Sequence, residues 1–319
     1  MAADRYIAVT GGVGGAKLAL GLVQLLSPEE ISFVVNTGDD FEHLGLHISP
    51  DIDTLVYTLA GQSNTDVGWG RRGETWQFMQ ALKQFGGETW FNLGDLDLAM
   101  HVERTQRLRR GASLTDVTRE LANALGVQYE ILPMSDAPVR TMIVTANGEL
   151  AFQHYFVRDR CAPAVTGFRF DGADTATPTS LIEQRLDGSL AGVIICPSNP
   201  FVSVDPILAI PGMRERLQRA GVPIVAVSPI VAGTAIKGPT AKMMTELRIP
   251  NDAIAVARHY RGLVSGFVLD TQDAALEPAV AALGIATVVT QTVMLTLGDR
   301  QQLAADVLRF MRRLKSSND

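Results

Sequence analysis

Short apolar runs alternate with amphipathic stretches of helical period along most of the chain. The pattern predicts a first strand at Arg5–Thr10, a helix at Ala16–Leu26 and a second strand at Ile31–Asn36. Further apolar runs predict strands at Gly192–Pro197 and Val222–Ser228, with helices between and after them. Such alternation is typical of a mostly parallel sheet that helices cover on both faces. We therefore expect an α/β protein with a Rossmann-like, doubly wound sheet.

The middle of the chain has a different pattern. Trp69–Gly126 has the periodicity of helices. After it, Val139–Thr145 and Glu149–Phe156 flank the dipeptide Asn147-Gly148, which predicts a β-hairpin with a tight turn. No Pro/Gly-rich linker divides the sequence into two parts. We therefore expect one α/β domain over residues 1–319, with a helical and hairpin insertion at about residues 69–170.

Composition and charge exclude several classes of protein. The chain is 46% hydrophobic and 19% charged, with a net charge of -6 and a pI near 5.4, which argues against disorder and against nucleic-acid binding. Cys161 and Cys196 lack CxxC spacing, so they predict neither a disulfide framework nor a zinc site. No signal peptide is visible, and Ala279–Leu297 fits a helix followed by a strand better than a membrane span. We predict a cytoplasmic protein with no membrane partner.

A glycine-rich segment, Thr10-Gly11-Gly12-Val13-Gly14-Gly15-Ala16-Lys17, joins the first predicted strand to the first helix. Glycine lets the backbone approach a phosphate, and a helix N-terminus offers unpaired N–H groups with partial positive charge. A dinucleotide fingerprint would need glycine in place of Lys17, and a Walker A loop would need Ser or Thr in place of Leu18, so neither motif fits. A tight turn without a ligand is the alternative. The candidate substrate-binding residues are Thr10, Gly11, Gly12, Gly14 and Gly15, and Lys17 is a candidate catalytic cation.

Acidic residues follow the second predicted strand, in the long polar loop Thr37–Asp53. Carboxylates beside a phosphate repel an anionic ligand unless a cation intervenes, and magnesium takes carboxylate and phosphate oxygens together. We predict a magnesium site on Asp39, Asp40 and Asp53, with Asn36 in contact with the substrate. Asp40 or Asp53 is alternatively a catalytic base. A turn formed by Asp39 and Asp40, or helix capping by Asp53, is the purely structural explanation.

The middle segment offers further polar candidates. His101, Arg104 and Arg107 recur at helical spacing, so one helix face could hold an anionic acid or phosphate. A solvated helix face explains the same spacing. Upstream, Trp90–Asp95 predicts a loop or helix lead-in, and Pro133–Asp136 between two strands lines a pocket or forms a simple turn.

Two later strands end in proline-containing turns at Cys196–Pro200 and Ser228–Gly233. Ser198, Asn199 and Ser228 would then project polar groups at neighbouring strand ends, which predicts one shared crevice for a nucleobase. Lys237 is a second candidate for a phosphate or carboxylate, although a lone lysine is more often a surface residue.

These segments together resemble one family, the 2-phospho-L-lactate transferases of coenzyme F-420 biosynthesis. They occur in order across nearly the whole chain, which is more specific than one glycine loop. The matching stretches are Gly11–Lys17, Asn36–Asp40, Ile48–Thr54, Gly68–Gly70, Trp90–Asp95, Leu132–Asp136, Cys196–Pro200, Ser228–Gly233 and Lys237–Pro239.

The resemblance implies a magnesium-dependent transfer from a guanylylated phospho-acid to Fo, a riboflavin-like deazaflavin. The terminal ribityl hydroxyl of Fo would attack the phosphoryl group that bears the acid, so that GMP leaves and a phosphodiester remains. The donor acid stays open between phospholactate, phosphoenolpyruvate and phosphoglycerate, and a homodimer is left open as the assembly. By their places in the matching stretches, Trp90, Asp95, Met134 and Asp136 are assigned to the Fo pocket.

Two other classes compete with this interpretation. A related group that resembles gluconeogenesis regulators shares the fold and binds nucleotide sugars, but it carries glycine and serine after the paired aspartates. Here Phe41-Glu42-His43 follows Asp40, which favours the transferase. A nicotinamide-dependent oxidoreductase would need another glycine spacing and an acidic ribose-binding residue after the second strand. Ligand choice separates the three: Fo with guanine nucleotides, a nucleotide sugar, or NAD.

Overall fold

Strands and helices alternate through residues 4–64, 70–236 and 238–316, the parts of the chain that the computed structural model describes. The strands are β1 (Tyr6–Thr10), β2 (Ile31–Val35), β3 (Phe41–His43), β4 (Leu46–Ile48), β5 (Glu130–Pro133), β6 (Arg140–Thr145), β7 (Gly148–Ala151), β8 (Val165–Asp171), β9 (Gly192–Ile195), β10 (Ile224–Val227), β11 (Ile230–Val231), β12 (Thr234–Ala235), β13 (Gly266–Asp270) and β14 (Ala286–Thr290).

The α-helices are α1 (Gly12–Leu22), α2 (Pro50–Leu59), α3 (Gln77–Gln84), α4 (Asp95–Arg109), α5 (Leu114–Ala124), α6 (Ser180–Leu186), α7 (Asp205–Leu208), α8 (Met213–Arg219), α9 (Thr240–Glu246), α10 (Ala253–His259), α11 (Glu277–Ala281) and α12 (Leu297–Ser316). Two π-helical turns, His154–Arg158 and Pro200–Val204, and a 3-10 helix, Thr271–Leu276, complete the described elements. Among the residues described, no helix is both long and apolar enough to cross a membrane.

A seven-stranded parallel sheet forms the centre, in the order β14-β13-β10-β9-β1-β2-β5. Its strands are apolar on both faces because helices cover both sides. In β1, Ile7 and Val9 belong to the hydrophobic core on one face, while Tyr6 and Ala8 belong to the core on the other. The predicted Rossmann-like, doubly wound α/β fold is confirmed.

The direction in which successive strands are added to the sheet changes between β1 and β9. From β1 the chain adds β2 and β5 on one side, and after the insertion it returns to add β9, β10, β13 and β14 on the other. At such a switch point the loops after the two central strands diverge and leave a crevice at their carboxyl ends. The glycine-rich segment follows β1 and the Cys196–Pro200 turn follows β9, so both border this crevice.

Two predicted boundaries near the crevice were wrong. The first helix begins at Gly12 and not at Ala16, because the glycine-rich segment itself forms the first helical turn. The stretch 37–53 is not an open loop, since it contains the antiparallel hairpin β3–β4 and the start of α2. The prediction of a long polar loop missed that the apolar residues of these short strands pack against α3 and the lead-in to α4.

The insertion contains the predicted hairpin. Strands β6 and β7 pair antiparallel with Thr145 opposite Gly148, as a tight turn requires. The second strand ends earlier than predicted, and a third strand, β8, pairs with the other side of β6. The backbone N–H of Thr141 in β6 donates to the carbonyl of Gly38 at 2.7 Å, so this small sheet lies directly against the acidic loop.

Candidate active site

The glycine-rich loop is fastened to the end of β9. The N–H of Gly11 donates to Ser198 Oγ at 3.2 Å, and the same hydroxyl donates back to the Gly11 carbonyl at 2.8 Å. A Cβ at Gly14 would overlap the Pro197 carbonyl oxygen, and one at Gly15 would overlap the hydroxyl of Thr10. Glycine is therefore required here for close approach of α1 to the neighbouring loop.

Gly12 differs from its neighbours. Its φ is +65°, and a Cβ built there would meet no described atom within 4 Å. The space in the Cβ direction is therefore open at the N-terminus of α1, where the helix dipole favours an anion, while the N–H of Gly12 itself donates to the carboxylate of Asp51. This arrangement supports the prediction of a phosphate-facing loop.

Lys17 has a defined place away from this turn. Its ammonium donates to the carbonyl oxygen of Met294 at 3.0 Å, in the segment between β14 and α12. The side chain thus ties α1 to the far edge of the sheet. A catalytic role for Lys17 stays a prediction.

Asp51 connects the acidic loop to the glycine loop. Its Oδ1 accepts the N–H of Gly12 at 2.8 Å, and its Oδ2 accepts the Nδ2 of Asn36 at 2.9 Å. Asn36 is fully buried and uses its own Oδ1 to accept the N–H of Gly38 at 2.8 Å. Sequence reasoning did not single out Asp51, although its position beside Pro50, at a helix start, was a usable signal.

Asp39 and Asp40 lie buried beside Asp51. Asp40 Oδ2 accepts the hydroxyl of Ser49 at 2.8 Å and lies 3.1 Å from His47 Nε2. Within the described part of the chain, Asp39 Oδ1 and Asp40 Oδ1 are buried without a hydrogen-bond partner. Buried carboxylate oxygens of this kind are costly unless something binds them.

The electrostatics of these carboxylates favour binding of a cation. Burial, and then the charge of Asp51, raise the pKa of Asp39 well above its ordinary value. Burial also raises the pKa of Asp51 to about 6, against the opposing hydrogen bonds from Asn36 and Gly12. A cation relieves the repulsion between neighbouring carboxylates, and magnesium is usually bound by one or two carboxylates together with phosphate oxygens and water. The residues present therefore fit a divalent ion at Asp39 and Asp40, with Asp51 adjacent.

Asp53 faces away from this cluster and pairs with Arg104. The guanidinium Nη1 donates to Asp53 Oδ2 at 3.1 Å, and Nη2 contacts Asp53 Oδ1. His101 Nδ1 lies 3.8 Å from Asp53 Oδ2, and its Nε2 lies 3.2 Å from Asp97 Oδ2. Helix α2 begins at Pro50, so the capping interpretation of Asp53 was wrong: Ser49 holds that position.

The predicted face of His101, Arg104 and Arg107 is neither an anion site nor a solvated surface. His101 and Arg104 are buried against α2, whereas Arg107 is half-buried and pairs with Glu103 and Glu120. Helical spacing alone could not distinguish the buried His101 and Arg104 from the half-buried Arg107.

Trp90 belongs to an aromatic cluster beside the acidic loop. Its ring centroid lies 5.0 Å from His43 and 4.8 Å from His154, and Phe41 and Phe91 pack around it. The cluster joins the hairpin β3–β4 to the π-helical turn of the insertion. Trp90 is thereby held by residues from three separate segments, one of which is the hairpin that follows Asp40.

Other predicted substrate residues are engaged elsewhere in the fold. Met134 is fully buried in the hydrophobic core, so a substrate contact would require the surrounding side chains to repack. Asp136 accepts the N–H and the hydroxyl of Thr115, at 2.7 and 2.8 Å, at the start of α5. Asp95 accepts the N–H groups of Gln77 and Phe78 at the start of α3. These assignments to the Fo pocket stay predictions.

The polar residues after the later strands mainly shape the backbone. Asn199 Oδ1 accepts the N–H of Phe201 at 3.0 Å, and Ser228 donates to the carbonyl of Ile230 at 2.8 Å. Lys237 lies outside the described residues. The structure thus brings together the glycine loop, Asn36, Asp39, Asp40 and Ser198, and places the other candidates around them.

The sheet order and this crevice define a Rossmann-like α/β protein with a glycine-rich loop and buried carboxylates at the same edge of the sheet. A member of the UPF0052 family from Bacillus halodurans shares the fold, with a TM-score of 0.64 over 97% of this chain and 99% of that chain, at 16% identity. The family model for 2-phospho-L-lactate transferase CofD matches residues 7–308, and the chain belongs to this family.

Relatives of known name match along their full length. A phosphoenolpyruvate transferase from Streptomyces griseus subsp. griseus is 37% identical over 318 residues, covering 98% of this chain and 100% of the relative. A 2-phospho-L-lactate transferase from Methanosarcina mazei is 37% identical over 303 residues, covering 95% and 99%. The predicted family resemblance is confirmed.

Proposed function

We propose that the protein transfers a phospho-acid moiety from a GMP-linked donor to the terminal ribityl hydroxyl of Fo, releasing GMP, in coenzyme F-420 biosynthesis. The observation that carries the proposal is the pair of unpartnered buried oxygens of Asp39 and Asp40 next to the glycine loop. In a family of transferases, this arrangement suits a phosphoryl group and the cation that accompanies it.

The glycine loop binds the phosphate portion of the donor in this proposal. Beyond Gly12, whose own N–H is held by Asp51, the first turn of α1 presents its backbone N–H groups to the donor phosphate. Ser198 holds Gly11 in place from β9, so the loop is pre-organised before a ligand arrives. Pre-organised donors stabilise developing charge without reorganisation during the reaction.

Asp39 and Asp40 would hold magnesium. Asp51 would keep Asn36 and the Gly12 backbone in place beside them through its two hydrogen bonds. Magnesium at this place would neutralise charge on the phosphoryl oxygens. Asp53, which the sequence also assigned to the metal, has both oxygens engaged by Arg104 and contributes to the site through α2 instead.

Asp40 is alternatively the general base for the ribityl hydroxyl, in which case Asp39 would hold the magnesium. One of its oxygens is unpartnered among the described atoms, and the other is oriented by Ser49 and His47. Removal of a proton from a hydroxyl needs a carboxylate within hydrogen-bond reach, held in one orientation. Holding both substrates in the reacting geometry supplies up to about 7–11 kcal/mol of barrier reduction, without a covalent intermediate.

The aromatic cluster around Trp90 is the candidate platform for the deazaflavin ring. Flat aromatic side chains bind flat ring systems through stacked or edge contacts. The cluster adjoins the hairpin β3–β4, which follows Asp40 directly, so a ring bound there would bring its ribityl chain towards the carboxylates. We propose Fo and a guanylylated phospho-acid as the substrates on these grounds.

The test is a reaction of the purified protein with Fo, magnesium and each of three guanylylated acids in turn. Chromatography with deazaflavin fluorescence detection follows conversion of Fo into a more anionic product. Conversion with one donor supports the transferase and names its acid. If no donor gives product and Fo does not bind, the proposal is wrong, and binding of a nucleotide sugar becomes the next measurement.

A further inference from the structure

The first turn of α2 is held from two opposite sides. On the crevice side, Ser49 donates to Asp40, and Asp51 accepts from Gly12 and Asn36. On the far side, Asp53 forms an ion pair with Arg104 of α4. The contacts to the site and the contact to α4 thus lie within five consecutive residues of one helical turn, 49–53.

Arg104 is unusual among the arginines of this chain. It is the largest of the fully buried side chains, with 1% exposure, and its Nη1 contacts both Asp53 Oδ2 and His101 Nδ1 at 3.1 and 3.3 Å. A two-point contact between guanidinium and carboxylate fixes direction as well as distance. The charge of Asp40 also reaches Arg104, so the guanidinium balances carboxylates on both sides of α2.

A metal site is the alternative interpretation of the cluster around Asp53. Asp53, Asp97 and His101 have potential ligand atoms within 4.8 Å of one another. Arg104 already neutralises Asp53, and a second cation in the same buried volume would be repelled by it. The cluster therefore acts through its arginine and not as a metal site.

We propose that Arg104 is a positioning residue for the transfer reaction, acting through Asp53 and the first turn of α2 on the glycine loop and the buried carboxylates. The inference rests on the proposed function for its kinetic part. It does not make Arg104 a substrate contact. The guanidinium fixes the positions of Asp51 and Ser49 through the first turn of α2. Asp51 then fixes the position of the Gly12 backbone, and Ser49 fixes that of the Asp40 carboxylate.

The comparison needs three variants of the full-length protein. Arg104→Met removes the charge, and Arg104→Lys keeps the charge but loses the two-point contact. Arg107→Met, one turn later on α4, is the matched control because Arg107 is half-buried and pairs only with surface glutamates in the described structure. The readouts are kcat, KM for the donor, and hydrogen–deuterium exchange of the peptide that spans Gly11–Gly15.

A misplacement of about 1 Å far from the reacting atoms costs about 100-fold in rate, so Arg104→Met is expected to lower kcat by that order. The donor KM should change only a few-fold, and exchange in the Gly11–Gly15 peptide should become faster although Arg104 does not touch it. Arg104→Lys should fall between Arg104→Met and the wild type. Arg107→Met should leave kcat within about twofold of the wild type, as surface substitutions generally do.

If Arg104→Met does not fold, Arg104→Lys decides, with an expected loss of about tenfold in kcat. A wild-type kcat in the deciding variant, or wild-type exchange in the Gly11–Gly15 peptide, overturns the inference. If the wild-type protein converts no donor at all, the proposed function fails, while the exchange comparison still tests Arg104.

Discussion

Glu74 and Asp95 cap each other's helices. The carboxylate of Glu74 accepts the N–H groups of Leu96 and Asp97 in the first turn of α4, at 2.7 and 2.8 Å. Asp95, which begins α4, accepts those of Gln77 and Phe78 in the first turn of α3, at 3.2 and 3.1 Å. Each acid satisfies amide groups that a helix start leaves unpaired. The two helices beside the aromatic cluster are therefore fixed relative to one another.

We predict that Asp95→Asn affects stability more than affinity for Fo. Loss of the negative charge at the start of α3 should lower the stability modestly, because the amide interacts less favourably with the helix N-terminus. Thermal unfolding should show a lower melting temperature. The Fo dissociation constant, measured by fluorescence, should stay within about twofold of the wild type.

Glu74→Gln is the matched control for this prediction, since it removes the reciprocal charge and should destabilise the protein by a similar amount. If Asp95→Asn instead weakened Fo binding about tenfold with an unchanged melting temperature, Asp95 would belong to the Fo pocket.

Asp53→Ala should destabilise the protein strongly. It would leave the guanidinium of Arg104 buried without its partner, which costs about 3–5 kcal/mol. The sequence predicts that this variant loses activity while it stays folded, and the buried ion pair adds the prediction of a large loss of stability. Urea unfolding measures the change directly.

Asp171→Ala supplies the comparison, because Asp171 pairs with Arg169 on the exposed surface and should cost at most about 1 kcal/mol. If the two substitutions lowered the free energy of unfolding equally, the charge of Arg104 would be compensated by other groups after removal of Asp53.

Gly15→Ala should disrupt the glycine loop. Its methyl group would overlap the Thr10 hydroxyl and approach Ser198 Oγ to 2.8 Å, so α1 would have to shift away from β9. Such overpacking costs about 1–3 kcal/mol, and we expect turnover to fall as well.

Gly12→Ala tests the effect of backbone strain without steric crowding. There the space is open among the described atoms but φ is +65°, so the expected cost is only about 1–2 kcal/mol. Denaturant unfolding together with the Fo assay measures both variants. A Gly15→Ala protein with normal stability and turnover would show that the loop has room for a side chain.

Magnesium should stabilise the protein in a pH-dependent manner. The pKa of Asp51 is raised to about 6 by burial, so the folded protein binds this proton more tightly than the unfolded chain, whose aspartates titrate near pH 4. Stability from this group is therefore fully present below about pH 4 and is lost as the pH rises through about 6. Magnesium competes with protons for the carboxylates, so it should restore stability only above that range.

Melting temperatures with and without magnesium, at about pH 5 and about pH 8 and at constant ionic strength, test this dependence. Asp39→Asn should reduce the gain at the higher pH. A gain of equal size at both pH values, or none at either, would contradict a magnesium site on these carboxylates.

The sheet and the glycine loop could be predicted because their signals are local. Uninterrupted apolar runs indicate strands that are buried on both faces, and β1, β2, β9 and β10 were located to within about two residues. The hairpin β6–β7 was predicted because Asn147-Gly148 is a local turn signal, although the two turn residues are Ala146 and Asn147 and Gly148 begins β7.

Partner choice among the charged residues could not be predicted in the same way. Arg104 and Arg107 lie three residues apart on the same helix, yet Arg104 is buried against Asp53 and Arg107 is half-buried and pairs with Glu103. Asp51 and Asp53 are separated by one residue but point to opposite sides of α2. Which side faces the crevice depends on how α2 and α4 pack, and that information lies in distant parts of the chain.

The bond between Gly11 and Ser198 joins residues 187 positions apart. During synthesis, β1 therefore emerges long before β9, and until Gly192–Ile195 is available β1 lacks its neighbour on that side. An unpaired apolar strand is a template for association with other chains, and pairing over such a sequence separation is slow. The glycine loop thus matures late in folding, and this protein is expected to depend on protection of its N-terminal third while the remainder is still being made.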